Sequence, residues 1–417
     1  MSDNAERSVL VVGAGVVGLA LAFELARAGW RVTLCDPEPP GSQCSWGNAG
    51  AISAGSVAPL AMPGVLRGAL SMLLDDASPL HVPFHYWLRA APWLTAFVRA
   101  ARPDQVRRIA GALDGLLAGS LAAHARLASA VGCPELVRRN GQLHLYPDTR
   151  AYDKDRGAWA LKQAHGLRME QLDAAAIRQL EPAVDARYRV GVLLPDEGWV
   201  AEPGRYTQAI AAALRQMDVA LERARISALR PDGAGWTASD GVRAWRASQV
   251  VVAAGAWSRS LLAAQGHDVP LESQRGYHLQ LRDAGISLSR VTVLADRKIF
   301  VTPMESGLRI AGTVEFGGLD RPPTPRRAML LGEHARAGLR GLRLDAPSVW
   351  MGHRPCLPDS MPVLGPVPDR PGLWCAFGHG HLGLTGSANT ARLLAAAMAG
   401  QGDERVLAPF SIARFAS

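Results

Sequence analysis

A short apolar run that leads into a glycine-rich turn is the feature that most constrains the fold of this chain. Residues 9–12 read Val-Leu-Val-Val, as expected of a parallel strand buried on both faces. The turn that follows matches the pattern GxGxxG and contains Gly13, Gly15, Val16, Val17 and Gly18. The first glycine permits the tight turn, the second lets a pyrophosphate approach the backbone, and the third lets the next helix pack against the strand.

The residues after this turn predict a complete strand–helix–strand unit. We expect the helix to begin near Val16 and to end at Gly29, with its first amides facing the phosphates of a ligand. Residues 31–35 predict the second strand, and Asp36 follows it. An acid at this place accepts hydrogen bonds from ribose hydroxyls and disfavours the 2′-phosphate of NADP. The unit therefore predicts a dinucleotide-binding fold and leaves FAD and NAD as alternatives.

Length and composition indicate that this unit belongs to a two-domain enzyme. A chain of 417 residues, 48% of them hydrophobic, exceeds one ordinary core. The formal charge of +8 is scattered and accompanies no nucleic-acid motif, so we expect no nucleic-acid partner. The five cysteines show no paired spacing, which indicates reduced thiols in a cytoplasmic protein. The apolar stretch 9–23 is too short and too rich in glycine for a membrane span or a signal peptide.

Three further segments resemble the bacterial D-amino acid dehydrogenases, within the wider superfamily of D-amino acid oxidase and glycine oxidase. They are residues 45–53 (SWGNAGAIS), residues 350–365, which begin Trp-Met-Gly-His-Arg-Pro, and residues 377–385 (FGHGHLGLT). A strand-like run at 250–258 that ends in a small-residue turn supports the resemblance. The match is collinear from about residue 9 to residue 400.

The resemblance implies an α/β fold with a discontinuous Rossmann-like FAD-binding domain and a mixed-sheet substrate domain that covers the flavin, as in D-amino acid oxidase. The expected FAD-binding domain comprises residues 1–62, 197–262 and 344–417, and the expected substrate-binding domain comprises residues 63–196 and 263–343. Sequence patterns predict a helix-rich stretch at 58–130, strands at 141–146, 190–194, 277–281, 298–302 and 308–312, and helices at 204–217 and 386–399.

The resemblance also implies which residues hold FAD. Besides the first turn and Asp36, the candidates are Ser45, Asn48, Ala49, Gly50, Ile226, Ala254, Gly255, Gly380, His381, Leu382, Gly383 and Thr385. Ile226 would offer backbone atoms near the adenine. The glycines at 378, 380 and 383 leave amides unshielded before a helix, whose dipole can stabilise the charge of a reduced flavin.

We expect noncovalent FAD and no metal. Cys356 and Cys375 do not match the position of the flavin-linked cysteine in the related sarcosine oxidases. His379 and His381 stand two residues apart in a glycine-rich loop without a nearby third ligand, which is a poor pattern for a metal site.

Three residues are candidates for contact with the substrate. Arg354 lies in a segment that resembles the family's carboxylate clamp, and a guanidinium can bind a carboxylate through two parallel hydrogen bonds. A salt bridge that shapes the loop is the alternative. Tyr277 is a candidate to support the same carboxylate, or is an ordinary sheet tyrosine. His353 is either a catalytic residue or a histidine packed beside the site.

These assignments predict oxidative deamination of a D-amino acid. Hydride would pass from the α-carbon to flavin N5, and the imino acid would hydrolyse to a keto acid and ammonia. The alternatives are a dehydrogenase of D-hydroxyproline or another cyclic secondary amine, an opine-oxidising subunit, and a non-catalytic flavin-binding component.

The electron acceptor implied by the resemblance is a quinone or the respiratory chain, with oxygen as the alternative. Such an acceptor implies peripheral contact with the inner face of the cell membrane. Residues 84–97 combine Tyr86, Trp87 and Trp93 with Arg89, a mixture compatible with a membrane surface and with ordinary helix packing. The side chain of the substrate and the oligomeric state stay open.

Overall fold

The computed structural model describes residues 7–63 and 80–416. The strands are β1 (Ser8–Val12), β2 (Arg31–Asp36), β3 (Ala51–Ile52), β4 (Leu80–His81), β5 (Val137–Arg138), β6 (Gln142–Tyr146), β7 (Glu170–Asp173), β8 (Val190–Leu194), β9 (Gly198–Val200), β10 (Ala220–Arg223), β11 (Ala228–Asp232), β12 (Gly235–Ser239), β13 (Ala244–Ala247), β14 (Gln249–Val252), β15 (Glu272–Leu281), β16 (Val291–Leu294), β17 (Ile299–Met304), β18 (Gly307–Phe316), β19 (Ser348–Cys356), β20 (Val363–Pro366) and β21 (Leu373–Phe377). The helices are α1 (Val16–Arg27), α2 (Trp87–Ala100), α3 (Pro103–Leu117), α4 (Ser120–Ala130), α5 (Thr149–Lys154), α6 (Arg156–Ala164), α7 (Ala174–Leu180), α8 (Pro203–Gln216), α9 (Ser258–Ala263), α10 (Pro325–Arg336), α11 (Gly383–Met398) and α12 (Glu404–Leu407).

A six-stranded sheet in the order β10–β2–β1–β14–β21–β20 carries the glycine-rich turn. Its neighbours run parallel except β20 and β21, which are antiparallel. All five residues of β1 are buried, which explains its continuous aliphatic sequence. The predicted strand–helix–strand unit is confirmed, because α1 begins at Val16 and Gly29 adopts φ +81° just after it.

Helix α1 lies between this sheet and the carboxy-terminal helix α11. Leu19, Leu21 and Leu25 are fully buried, and alanines fill much of the remaining surface of α1. A helix that is apolar on most sides is expected where it is covered on most sides. The fold thereby fixes the amino-terminal ends of α1 and α11 near the same edge of the sheet, where the cavity described below lies.

A second, mixed sheet follows the order β19–β15–β18–β17–β16–β6–β8–β7, with β4 paired to β18. Its neighbours are antiparallel except for the pairs β16–β6 and β18–β4. All five strands predicted between residues 141 and 312 lie in this sheet. The predicted α/β class is confirmed, and the described part of the stretch 58–130 contains α2, α3 and α4.

The division into two domains stays a prediction. The pairing of β19 differs from the grouping that this division gives to that strand. The predicted boundary at residue 344 groups β19 with the FAD-binding segments. The structure pairs β19 with β15 over nine consecutive residues, from Glu272↔Cys356 to Gln280↔Ser348. The segment around Arg354 therefore belongs to the mixed sheet, whereas β20, β21 and α11 return to the first sheet.

Candidate active site

A cavity of about 730 Å³ is lined by residues of both large sheets, a volume suited to a cofactor-sized ligand. The predicted residues that line it are Gly13, Gly15, Val16, Val17, Asp36, Ser45, Asn48, Ala49, Ile226, Ala254, Gly255, Tyr277, His353, Arg354, Gly380, His381, Leu382, Gly383 and Thr385. Gly18 and Gly50, which were also predicted, are not among the residues that line the cavity. The structure thus brings the separate sequence segments to one place, although each contact with a ligand stays a prediction.

The three glycines of the first turn have the separate roles expected of them. Gly13 adopts φ +112°, and a β-carbon there would fall 2.6 Å from the carbonyl carbon of Ala253. A β-carbon on Gly18 would overlap the carbonyl of Gly13, so this glycine permits close packing of α1. At Gly15 the nearest atom would be Ser45 Oγ at 3.5 Å, so the backbone is open toward the cavity. This open cradle fits the pyrophosphate of FAD.

Asp36 holds the glycine-rich turn as well as lining the cavity. Its carboxylate accepts hydrogen bonds from the backbone amides of Ala14 at 2.7 Å and Glu38 at 2.9 Å. Burial raises the pKa of Asp36, and the two amides oppose that shift. Each carboxylate oxygen keeps a second acceptor position, so the predicted bond to a ribose hydroxyl is compatible with these contacts.

The loop before α11 presents its backbone to the cavity. Gly378 and Gly380 adopt φ +84° and +56°, and α11 begins at Gly383. His379 and His381 both line the cavity. Nε2 of His379 lies 3.0 Å from Thr390 Oγ1, and burial lowers the pKa of His379 to about 4. Among the described residues, no group of three or more histidine, cysteine or acidic side chains could hold a metal ion.

The segment 45–55 is held from behind by buried charged side chains. The guanidinium of Arg309 donates to the carbonyls of Trp46 at 3.0 Å and Asn48 at 2.7 Å. The carboxylate of Glu197 accepts from the amides of residues 54 and 55 at 2.7 and 2.8 Å. Burial raises the pKa of Glu197 to about 7, and the two amides oppose that shift. These contacts fix the backbone of the cavity wall.

Arg354 extends from β19 across Gly276 of β15 to the next strand. Its Nη1 donates to the carbonyl of Thr313 at 2.7 Å, and its Nη2 lies 3.4 Å from the carbonyl of Gly312. Within residues 7–63 and 80–416, Arg354 forms no ion pair with a carboxylate. Burial lowers its pKa, which means that the charge is held at a cost in solvation. A guanidinium has five donors, and neutral carbonyls take only two of them here.

Tyr277 and Arg275 are engaged by protein partners. The hydroxyl of Tyr277 donates to Glu315 and accepts from the amide of Thr324 at 3.0 Å. Side chains alternate along a strand, so Tyr277 points away from the face on which Gly276 meets Arg354. The guanidinium of Arg275 is also buried, and donates to the carbonyls of residues 318, 321 and 322. The support of a substrate carboxylate by Tyr277 stays a prediction.

His353 packs beside the cavity. Its Nδ1 lies 2.8 Å from Ser273 Oγ, and its ring meets the ring of Trp257 edge-on with centroids 5.5 Å apart. Burial lowers the pKa of His353, which favours the neutral imidazole. These contacts fit a packed histidine, and a catalytic role for it stays a prediction.

Several residues of the site lay outside the sequence prediction: Glu197, Gly276, Lys298, Phe300, Arg309 and Thr313. The sequence contains a signal that could have identified Gly276, because a glycine inside a strand often marks the close approach of another group. Glu197 had none, since its amide partners lie 142 and 143 residues away in the chain.

Comparisons with known proteins agree with this geometry. The family model described as FAD dependent oxidoreductase, named DAO, matches residues 8–397. The D-amino-acid oxidase of Bradyrhizobium diazoefficiens is 38% identical, and the alignment covers 98% of this chain and 99% of that protein. The D-amino acid dehydrogenase of Cereibacter sphaeroides is 30% identical, with 98% and 95% covered.

Two solved structures share the fold. Glycine oxidase from Geobacillus kaustophilus has a TM-score of 0.76 at 22% identity, with 99% of this chain and 100% of that one covered. Iminodiacetate oxidase from Chelativorans sp. BNC1 has a TM-score of 0.71 at 25% identity, with 97% and 98% covered. The resemblance inferred from the motifs is thereby confirmed, and the chain belongs to the DAO family of FAD-dependent oxidoreductases.

Proposed function

We propose that this protein oxidises D-amino acids with noncovalently bound FAD, and that Arg354 anchors the substrate carboxylate. The observation that carries the proposal is the desolvated guanidinium of Arg354, which lines the cavity and, among the residues that the structure describes, bonds only to the carbonyls of residues 312 and 313. An α-carboxylate would supply the missing counter-charge in the fork geometry that arginine favours. The similar D-amino-acid oxidase and D-amino acid dehydrogenase support the substrate class.

We infer the remaining roles in binding and catalysis from the residues that line the cavity. FAD, when bound, supplies the acceptor for the hydrogen and the two electrons that leave the substrate α-carbon. The open backbone at Gly15 would hold the pyrophosphate, and the first amides of α11 would face the flavin. Arg354 orients the substrate through its carboxylate. No side-chain base is required if the bound amine is neutral, and the hydroxyl of Tyr277 and Nδ1 of His353 are already engaged by protein partners.

Noncovalent binding is supported by the state of the two thiols that line the cavity. Cys35 and Cys44 both line it, and burial raises the pKa of each to about 12. A thiol with such a pKa remains protonated at neutral pH, and the thiolate is the nucleophilic form. Cys356 and Cys375 are buried.

An anaerobic substrate panel tests the activity. The holoprotein is mixed with D-alanine, D-proline, cis-4-hydroxy-D-proline and octopine, and the flavin absorbance is followed. Bleaching by D-alanine supports the proposal, whereas bleaching only by the cyclic amines or only by octopine favours those alternatives. A protein that stays oxidised with a broad panel of D-amino acids is a flavin-binding component, and the proposal is then wrong.

The Arg354 variants test the anchor. Loss of a charge partner in a desolvated site costs on the order of 2–5 kcal/mol, which corresponds to a roughly 30- to 4,000-fold fall in kcat/KM. Arg354→Ala is expected to keep its FAD and to lose activity within this range, and Arg354→Lys to recover part of it. An amine without a carboxylate provides the control, since wild type and variant should then be nearly equal. Unchanged kcat/KM in Arg354→Ala would place the clamp elsewhere.

We also propose that the electrons pass to a quinone or the respiratory chain, with peripheral contact at the inner face of the cell membrane. At the start of α2, Phe84 and Leu88 are 92% and 91% exposed, Trp87 is 40% exposed, and Arg89 is exposed beside them. Exposed apolar side chains beside a cation are the composition of an interfacial helix face. No described helix has the length and hydropathy of a membrane span.

Vesicle flotation tests this contact. With vesicles of anionic lipid, wild type should float and the variant Phe84→Ser/Leu88→Ser should stay in the lower fractions. Activity with a soluble quinone should be the same in both. Wild type that remains with the soluble fraction and turns over rapidly with oxygen would instead support an oxidase.

A further inference from the structure

A second cation, Lys298, lines the cavity and lies at the edge of the same sheet as Arg354. Lys298 lies directly before β17 and lines the cavity together with Phe300. Arg354 reaches the carbonyls of residues 312 and 313 on β18, and β17 is the next strand, paired through Phe300↔Ala311. A β-carbon on Gly312 would come within 3.0 Å of the carbonyl oxygen of Lys298. The backbone that holds Arg354 is therefore about one strand spacing, roughly 4.8 Å, from that of Lys298.

The backbone of Lys298 is in an unusual conformation. It adopts φ +54°, the left-handed region that favours glycine, at the end of a short 3-10 turn over Ala295–Arg297. Nothing in this turn needs the side chain of lysine for folding, because glycine would adopt the conformation with less strain. Residues held in such regions cluster at ligand clamps.

The ion pair with Asp155 leaves the charge of Lys298 available to a ligand. Its Nζ lies 3.6 Å from Asp155 Oδ2, and its side chain is 53% exposed, so the ion pair is loose and solvated. The same Asp155 oxygen accepts a hydrogen bond from the hydroxyl of Tyr146 at 3.0 Å. A ligand carboxylate could therefore approach Nζ without breaking a tight pair.

A third cation, Lys162, adds to the positive field at this end of the cavity. Its ammonium lies 4.5 Å from the ring centre of Trp159, and no ion pair is formed by Lys162 in the described part of the chain. Burial lowers the pKa of His381, which lines the cavity, and the charges of Arg354 and Lys162 lower it further. Glu197 is the acid that most opposes the lowered pKa of Lys162, and its carboxylate is taken by two amides.

We propose that Lys298 makes this site selective for D-amino acids with a second carboxylate, such as D-glutamate and D-aspartate. The α-carboxylate binds Arg354, and the side-chain carboxylate extends toward Lys298 across one strand spacing. Phe300, which lines the same cavity, would offer an apolar surface to the methylene groups. This inference rests on the function proposed above.

Steady-state kinetics with a matched pair of substrates tests the inference. D-Glutamate and D-glutamine have nearly the same shape and differ in charge, so wild type should favour D-glutamate by tenfold or more in kcat/KM. Lys298→Met keeps the length of the side chain and removes its charge. It should reduce kcat/KM for D-glutamate and D-aspartate about tenfold more than kcat/KM for D-glutamine and D-alanine. Lys298→Arg should keep the preference.

Two controls separate selectivity from general charge and from the proposed function. Lys154→Met removes the same charge from an exposed site on α5. It should leave kcat/KM unchanged for every substrate tested. In a binding assay without turnover, glutarate should raise the Tm of wild type more than butyrate does, and Lys298→Met should remove the difference. Equal kcat/KM for D-glutamate and D-glutamine in a wild type that oxidises D-alanine would overturn this inference alone. A flavin that no D-amino acid bleaches would overturn it together with the proposed function.

Discussion

Replacing Gly276 by alanine tests the placement of Arg354 without touching the arginine itself. A methyl group built at Gly276 would overlap the guanidinium, with its carbon 2.6 Å from Nη1. Ordinary contacts of this kind are about 3.5 Å, so the guanidinium must move by roughly 1 Å. The overlapping atoms are the end of a flexible side chain, and the backbone at Gly276 is ordinary extended strand. We therefore expect the variant to fold and to misplace only the clamp.

The size of the effect follows from this displacement. A shift of about 1 Å away from Thr313 stretches the 2.7 Å hydrogen bond to Nη1 to roughly 3.7 Å, beyond hydrogen-bond range. Misplacement of a positioning group by 1 Å costs on the order of 100-fold in rate. Gly276→Ala is thus expected to lower kcat/KM for D-amino acids about 100-fold and to keep full FAD content.

Purified variants are compared by kcat/KM with the best D-amino acid and by flavin absorbance per protein. Gly111→Ala is the matched control, because Gly111 lies on the exposed side of α3 with open space around it. It should retain activity and gain up to about 1 kcal/mol of stability, since alanine favours a helix. The double variant Gly276→Ala/Arg354→Ala should lose no more than Arg354→Ala alone, because both changes remove one contact. If Gly276→Ala kept kcat/KM within twofold of wild type at full flavin content, the guanidinium would not act from the place described.

Three further changes test other parts of the site. Gly15→Val should yield a folded protein without FAD, because a β-carbon there would make an ordinary 3.5 Å contact with Ser45 Oγ, whereas the side chain would fill the space proposed for the pyrophosphate; full flavin content by absorbance would show that the cradle lies elsewhere. Acid precipitation of wild type should release the yellow cofactor into the supernatant, and colour kept in the pellet would mean a covalent link. Glu197→Gln should change the pH dependence of stability: burial raises the pKa of Glu197 from 4.5 to about 7, so the native state binds more protons than the unfolded state between these values. The free energy of unfolding of wild type relative to the variant should then fall, on the order of 3 kcal/mol, as pH rises from 4.5 to 7, and an equal slope in both proteins would contradict this environment for Glu197.

Local patterns were sufficient for the first strand–helix–strand unit. The GxGxxG turn, the apolar β1 and the left-handed Gly29 each depend on a few neighbouring residues, and the structure has all three as expected. The start of β15 was beyond such patterns. The segment 274–276 reads Gln-Arg-Gly, which resembles a turn, yet it is strand because its pairing with β19 buries Arg275.

The contacts that position the side chains of the site depend on pairings between distant segments, and a single sequence does not reveal these pairings. Arg354 could be found from its motif, but its position over Gly276, which has no side chain, depends on the register in which β15 pairs with β19. The support of residues 54 and 55 by Glu197 joins distant segments in the same way. Such contacts follow from tertiary register and have no local periodic signal.

The strand order of the six-stranded sheet delays formation of the cofactor site until residues as late as β21 have been synthesised. β1 pairs with β14 through Val9↔Gln249, and β14 pairs with β21 through Val250↔Leu373. During synthesis the glycine turn after β1 therefore waits for Gln249–Val252 and Leu373–Phe377 before its own sheet can close. Contacts of such long sequence separation slow folding and expose unpaired strand edges in the meantime. Gly380 and Gly383 line the same cavity as the glycine turn, so the two ends of this cavity can come together only after the segments between them have been synthesised.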